Sequence, residues 1–449
     1  MAATRKPLLS LLSRVSRTSK RTYVTTQFLL YSLKQRDQSY GIQKARNIWI
    51  FYQLTQLLIR DIAIQRSSKH FKNRQKDSLS VPRAFYNDRF PVFAERLTSM
   101  FGYEMVLPMN TGAEGVETAL KLARKWGYEK KKIPKNEFLL PDVRPLAGKA
   151  IIVSCCGCFH GRTLAVISMS CDNEATRGFG PLLPGHIKVD FGDAVALEKI
   201  FKGYLKAVRD LCSKYNVLMI ADEIQSGLAR SGKMLACDWE GVRPDVVILG
   251  KALGGGVIPV SAVLADKDVM LCIRPGEHGS TFGGNPLASA VAIASLDVIQ
   301  EEKLAERSAH LGEELLCQLV KIKEEFPNYV KEVRGRGLFT AVEFNSKSLF
   351  PVSAYDICLK MKERGVLAKP THDTIVRLTP PLCMRSMLEL RAIFGALRDE
   401  VKEGSKVLHD VLELDLPNMQ KAKPKDSPTT ATICDRCGRN LYDPLDRAL

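Results

Sequence analysis

The chain has 449 residues, of which 45% are hydrophobic, and it carries a formal net charge of +17. A chain of this length and apolar content can bury a large core. Chains of this size commonly divide into a large and a small domain. Residues 1–82 hold 16 of the 66 lysines and arginines but only three of the 49 acids, so the rest of the chain is nearly neutral and a basic, nucleic-acid-binding body is excluded.

The amino-terminal segment is basic and contains no acid before Asp37. It mixes arginine, serine and leucine, as organellar transit peptides do. We therefore predict that residues 1–26 are a transit peptide for the mitochondrial matrix; the alternative is a disordered basic tail. The apolar stretches 8–12 and 48–59 are too short to cross a bilayer, so no membrane span is expected.

A short strand followed by a helix is predicted near residue 110. Residues 105–109 resemble a strand, and Thr111 and Gly112 stand where a helix begins, since Val116 and Leu120 follow at helical spacing. The free N–H groups and positive dipole end of such a helix suit a phosphate. The alternative is an ordinary capped amphipathic helix.

Two apolar runs end on chemically active residues. Residues 217–221 lead into Asp222, and residues 245–250 lead into Lys251, twenty-nine positions later. In a parallel α/β sheet both runs end on the same edge, so the carboxylate and the amine would face one pocket. Pyridoxal 5'-phosphate (PLP) needs a lysine to hold its aldehyde as a Schiff base and an acid beside its ring nitrogen. The alternatives are a solvated lysine and an aspartate that caps a turn.

The twelve cysteines do not suggest a disulfide framework. Cys155, Cys156 and Cys158 lie in a strand-like run and are predicted to be small buried residues or free thiols. Cys434 and Cys437 have metal-ligand spacing but form a single pair, whereas zinc normally takes four ligands. We predict a disordered tail there and no metal site.

The order of predicted elements indicates the fold class. Residues 105–300 alternate strand-like and helical runs and are read as α/β. Residues 330–410 are read as a smaller α+β part around the strands at 337–343 and 374–378.

Seven stretches resemble one family, in the order in which that family has them. The chain is similar to the class III PLP-dependent aminotransferases, and within them most similar to the ornithine aminotransferases. The stretches that carry the resemblance are 80–87, 107–112, 159–163, 221–227, 249–256, 275–286 and 368–372.

The resemblance implies roles around the cofactor ring. Lys251 would form the Schiff base and carry the proton of the 1,3-shift, and Asp222 would pair with the pyridinium. Gln225 would bond the ring hydroxyl oxygen, and Phe159 would stack on the ring face. The alternative for Phe159 is a place in the core.

It also implies roles for the phosphate and the substrate. Gly112 and Ala113 would donate backbone N–H groups to the phosphate, which Thr281 would reach from the partner subunit, so at least a homodimer is expected. Arg162 and Arg377 would grip the substrate carboxylates, which suit a planar two-donor fork.

The implied fold is PLP-dependent transferase fold type I, with a mostly parallel central sheet. Residues 83–310 would be the large PLP-binding domain, 311–415 a smaller α+β domain, and 416–449 a disordered tail. The implied reaction moves the δ-amino group of ornithine to 2-oxoglutarate, giving glutamate semialdehyde and glutamate, as in proline biosynthesis and arginine catabolism. The alternatives are an acetylornithine or 4-aminobutyrate aminotransferase, or a catalytically impaired splice or gene-model variant.

The chain departs from the family at several places. Between Lys202 and Gly203 the family has an interior strand and a glutamate that covers the arginine matched by Arg377. Without that glutamate we expect Arg377 to attract the α-carboxylate of ornithine and to favour the wrong amine. Residues 138–148 and 384–401 have no family counterpart.

Residues 27–82 match no segment of the family as written. A nucleotide sequence that encodes these residues can be written by choosing among synonymous codons. Read in another frame, such a sequence can encode the segment that the family has at this place. We interpret them as a frame-shifted translation. An in-frame transcript that still encodes residues 27–31 as written would refute this interpretation.

Overall fold

The computed structural model describes residues 87–133, 150–189, 204–350, 352–384 and 395–402. The described residues up to Val401 belong to one compact unit. Several predictions lie outside the described residues and stay predictions: those for segments 1–26 and 27–82, the insertion 138–148 and the tail 416–449 with Cys434 and Cys437.

A four-stranded sheet with the order β1-β6-β5-β4 forms the centre of the fold. β5 is parallel to β4, whereas β6 is antiparallel to both of its neighbours, β5 and β1. Three of the four strands therefore run in one direction, which confirms the predicted mostly parallel sheet. The strands of this first part are β1 (Met105–Met109), β2 (Ile152–Cys155), β3 (His186–Val189), β4 (Ile220–Asp222), β5 (Val246–Leu249) and β6 (Ser261–Ala265).

The sheet is interrupted beside β4. β2 and β3 pair with each other in parallel as a separate two-stranded sheet. Among the described residues, β4 has β5 as its one neighbour, and no strand lies along its other edge. The predicted loss of a strand between Lys202 and Gly203 would leave such an edge, but residues 190–203 lie outside the described part, so this loss stays a prediction.

Helices cover the central sheet on apolar surfaces. β5 and β6 are buried along their whole length, as expected for strands packed on both faces. Two clusters of buried side chains join the sheet to its helices. The helices are α1 (Phe90–Phe101), α2 (Gly112–Glu129), α3 (Leu164–Ile167), α4 (Asn173–Thr176), α5 (Tyr204–Lys214), α6 (Lys267–Met270) and α7 (Pro286–Glu301).

A second, antiparallel sheet with the order β7-β8-β10-β9 forms the smaller part. Its core is a separate cluster whose buried members all lie between Leu311 and Val401. This is the predicted α+β arrangement; the boundary between residues 310 and 311 stays a prediction. Its elements are α8 (Leu304–Glu325), β7 (Val330–Arg336), β8 (Phe339–Phe344), α9 (Ser346–Leu349), α10 (Ala354–Glu363), β9 (Lys369–Thr371) and β10 (Ile375–Leu378).

One close approach in this part gives a stability prediction. A Cβ atom on Gly312 of α8 would overlap the backbone of Gly337, in the turn between β7 and β8. Because two backbone segments must separate, we expect Gly312→Ala to lower the free energy of unfolding by about 3 kcal/mol. Urea unfolding followed by circular dichroism measures the change. Gly395→Ala is the matched control, since its Cβ would meet nothing within 4 Å, and equal midpoints for the two variants would contradict the prediction.

Within the described ranges, no helix is both long enough and apolar enough to cross a membrane.

Candidate active site

Asp222 and Lys251 lie at one edge of the central sheet. β4 ends at Asp222, and β5 ends at Leu249, two residues before a 3₁₀ turn over Lys251–Gly254. Since β4 and β5 are parallel, with Asp222 opposite Ile248, both carboxyl ends meet there. The charge of Asp222 acts on the Lys251 amine. The two residues that the sequence paired are therefore brought together.

The Lys251 amine is shifted towards its neutral form. Burial lowers the pKa of Lys251 to about 8; Asp222 opposes this shift, whereas the cations Arg377, Lys369 and Arg230 add to it. The Lys251 backbone is in the left-handed region, with φ of 44°. A lysine with a lowered pKa offers a nucleophilic amine near neutral pH.

This pKa predicts how attachment of PLP depends on pH. Because the neutral amine attacks the aldehyde, the rate of covalent attachment to cofactor-free protein should rise with pH and level off above about pH 8. An ordinary lysine, with a pKa of about 10.4, would still gain rate there. Stopped-flow absorbance after mixing with PLP measures the profile. Lys362→Ala, at an exposed position on α10, should give the same profile, and a rate still rising tenfold per pH unit at pH 10 would contradict the prediction.

The start of α2 forms an anion cradle close to β4. The Thr111 side chain accepts a hydrogen bond from the Glu114 backbone N–H, and the Glu114 carboxylate accepts one from the Thr111 backbone N–H, which confirms the predicted helix start. The first N–H groups of a helix, here those of Gly112 and Ala113, have no partner within the helix. A Cβ on Gly112 would come within 3.0 Å of the Ile224 side chain, so glycine permits this approach.

The loop between β2 and α3 presents an aromatic ring. The Phe159 side chain is 60% exposed, so its alternative assignment to the core is wrong. The guanidinium of Arg162 lies 5.6 Å from the ring centroid. A Cβ on Gly161, with φ of +129°, would come within 3.1 Å of the Ala113 Cβ, which places this loop against the start of α2.

A histidine that the sequence analysis did not single out joins this site. His160 and Asp222 are 2.7 Å apart, from Nδ1 to Oδ2. Burial alone would lower the pKa of His160, but hydrogen bonds with Asp222 and with Cys158 raise it to about 9. The sequence signal was the stretch 159–163 itself, in which a histidine stands between the aromatic residue and a glycine.

The remaining predicted residues lie in three places. Gln225 is half-buried in the turn after β4, and Thr281 is exposed in the loop before α7. That loop is attached to α2 by a 2.7 Å hydrogen bond between His278 and Thr118. Arg377 is on β10, where it pairs with Ala341 of β8, and its charge acts on Lys251 across the two parts of the fold.

A half-buried arginine connects these two parts. Nη1 of Arg230 donates to the carbonyl oxygens of Leu338 and Pro380, at 3.0 and 2.6 Å. Burial lowers the pKa of Arg230 to about 10. Its cation adds to those of Arg377 and Lys369 near Lys251, which makes this side of the site positive and suited to carboxylates.

One cysteine prediction needs correction. Cys156 forms a disulfide with Cys171, with a Cα–Cα distance of 5.3 Å, so it is not a free thiol. The turn after β2 brings Cys156 to Cys171, which lies two residues before α4, a proximity that sequence spacing did not show. Cys155 and Cys158 are free and half-buried. The described residues contain no group of three or more histidine, cysteine or acidic side chains placed to hold a metal.

The residues at this edge fit PLP. They combine an amine of lowered pKa, a carboxylate within its electrostatic reach, an exposed ring and a helix start that glycine leaves open. Each of these features matches one part of the cofactor: the aldehyde, the ring nitrogen, the ring face and the phosphate.

Known proteins share this sequence and this fold. The family described as aminotransferase class-III matches residues 68–200 and 199–399, two segments that meet close to the predicted deletion. The mitochondrial ornithine aminotransferase of Arabidopsis thaliana is 71% identical over 386 residues, covering 80% of this chain and 76% of the relative.

Two solved structures are similar at lower identity. An ornithine aminotransferase from Toxoplasma gondii, with PLP at partial occupancy in its active site, has a TM-score of 0.73 at 32% identity and covers 90% of this chain and 100% of its own. An acetylornithine aminotransferase from Elizabethkingia anophelis has a TM-score of 0.64 at 36% identity, covering 84% and 99%.

Proposed function

The chain belongs to the class III aminotransferases, and from this premise we propose that it transfers the δ-amino group of ornithine to 2-oxoglutarate. It is a PLP-dependent aminotransferase, as its motifs predicted. The observation that carries the ornithine assignment is the high identity with the plant ornithine aminotransferase. The acetylornithine enzyme has a similar fold at about half that identity, so the fold by itself does not choose the donor.

In this proposal, a residue of suitable chemistry contacts each group of PLP. When bound, PLP supplies an electron sink that makes a proton on the substrate carbon removable. Lys251 would tether the cofactor through its amine and would move that proton. Asp222 holds a proton at the ring nitrogen, and Gln225 bonds the ring hydroxyl oxygen. Phe159 covers the ring face.

The phosphate and carboxylate groups have donors as well. Gly112 and Ala113 offer the N–H groups of the α2 start, where the helix dipole favours an anion. Thr281, exposed in its loop, reaches the phosphate of a partner subunit in a homodimer. Arg162 and Arg377 bind the carboxylates of the substrate as two-donor forks. Import into the mitochondrial matrix is part of the proposal, since the plant and animal relatives are named mitochondrial.

A comparison of amino donors tests the proposal. Purified full-length chain with PLP and 2-oxoglutarate is offered ornithine, N-acetylornithine and 4-aminobutyrate in parallel, and glutamate is measured. Ornithine should be used fastest and should give glutamate semialdehyde, detected by trapping its cyclised form. A preference for N-acetylornithine or 4-aminobutyrate would contradict the ornithine assignment. Lack of turnover by a protein that has bound PLP would favour the impaired-variant alternative.

A further inference from the structure

The His160–Asp222 contact lies at the point where the proposed function needs its acid. We propose that His160 is a positioning residue that holds the Asp222 carboxylate in one orientation, so that the ring nitrogen of PLP stays protonated. This inference rests on the proposed function. It assigns His160 a role through Asp222, without a contact of its own to the substrate.

The hydrogen bonds at Asp222 leave acceptor sites on its carboxylate for the ring nitrogen of PLP. Oδ2 lies 2.7 Å from Nδ1 of His160, and Oδ1 accepts from the backbone N–H of Ile224 at 3.2 Å. A carboxylate has about four acceptor sites, so two remain for the ring nitrogen. Two partners from different segments, His160 and the Ile224 backbone, fix the orientation of the Asp222 carboxylate.

The position of His160 in its loop strengthens the assignment. The preceding residue, Phe159, presents the exposed ring, and the following residue, Gly161, packs against Ala113 at the start of α2. Three consecutive residues thus contact the proposed ring face, the ring acid and the phosphate cradle. A variant that displaces the loop would disturb all three parts. A test must therefore distinguish the loss of the His160–Asp222 hydrogen bond from a displacement of the loop.

A purely structural histidine would fill space without needing Nδ1. The His160 side chain is 25% exposed, so it is not part of a closed core, and Asp222 is 15% exposed. Hydrogen bonds that involve a charged group are about twice as strong as neutral ones. Nδ1 of the imidazole lies at hydrogen-bond distance from Asp222, and Asp222 and Cys158 both raise the pKa of His160.

Two isosteric replacements separate these roles. His160→Asn keeps a donor near the Nδ1 position, whereas His160→Gln moves the donor to about the Nε2 position. The full chain and both variants are loaded with PLP that carries ¹⁵N in its ring, and the ¹⁵N chemical shift reports whether the ring nitrogen is protonated. Borohydride reduction and mass mapping confirm in each sample that the cofactor is tethered to Lys251.

We expect His160→Asn to keep the protonated shift and to retain kcat within about tenfold. His160→Gln should move the shift towards the unprotonated position and lower kcat by about tenfold to hundredfold, the effect of losing one charged hydrogen bond. A protonated shift in His160→Gln, or equal loss in both variants, would overturn the proposal. If the unaltered chain does not bind PLP at all, the proposed function fails, which is a different outcome.

Discussion

Replacement of Lys251 by alanine should abolish covalent binding of PLP and lower the transaminase rate by at least about a thousandfold. The amine of this residue would both tether the cofactor and move the proton between substrate and cofactor carbons. Asp222 and the start of α2 would still bind PLP without a covalent bond. Borohydride reduction followed by mass spectrometry should therefore find the cofactor on Lys251 of the unaltered chain and on no residue of the variant.

The reason for so large an effect is the environment of this lysine. Burial lowers its pKa to about 8, and the cations Arg377, Lys369 and Arg230 favour its neutral form. Lys369 acts on Lys251 electrostatically, but it lies at the start of β9 in the second sheet and not after β5, so it should not replace Lys251. Lys362→Ala, on the outer side of α10, is the control and should keep both the adduct and the rate. A cofactor adduct that persists in Lys251→Ala would exclude the assigned tether.

Insertion of the family's strand between Lys202 and Gly203 should raise both stability and selectivity. The inserted sequence is the one expected there from the family resemblance, Phe-Leu-Phe-Glu-Pro-Ile-Gln-Gly-Glu-Ala-Gly. In the described part of the chain, β4 pairs on one edge and has no strand on the other. Four added ladder hydrogen bonds, at about 0.5–1.5 kcal/mol each, would contribute roughly 2–6 kcal/mol, and the thermal midpoint should rise by several degrees.

The same insertion adds the glutamate that, in the family, covers the arginine matched by Arg377. The glutamate would cover Arg377 while ornithine reacts, so the ratio of δ- to α-amino transfer should increase. Differential scanning calorimetry measures the midpoint, and product analysis measures the ratio. A Gly-Ser segment of equal length is the control, since it adds chain without strand propensity or charge. If both insertions change the midpoint alike, β4 does not have an open edge, and the interpretation of a lost strand is wrong.

The site contains both local and distant relationships. The sequence predicted the lysine that tethers the cofactor, the acid for its ring nitrogen and the start of α2, because each of them depends on a few adjacent residues. Lys251 and Asp222 follow apolar runs, and parallel strands bring their carboxyl ends to one edge. Thr111 and Glu114 form a cap within a single turn of helix.

The other features of the site depend on contacts between residues that are far apart in the sequence. His160 and Asp222 are 62 positions apart, and no local pattern requires their side chains to meet. Arg230 reaches Pro380 over a separation of 150 residues, and cations from both parts of the fold, Arg230, Arg377 and Lys369, act on the Lys251 amine. The disulfide of Cys156 likewise depends on where the chain returns.

Short motifs with local chemistry were enough to predict the family, the cofactor and the residues at the strand ends. Only the folded chain shows that β6 runs against its neighbours, that one edge of β4 lacks a described strand, that Phe159 is exposed and that His160 contacts Asp222. These properties depend on backbone pairing and side-chain packing between segments far apart in the chain, and the free energy of such contacts is set by the assembled fold.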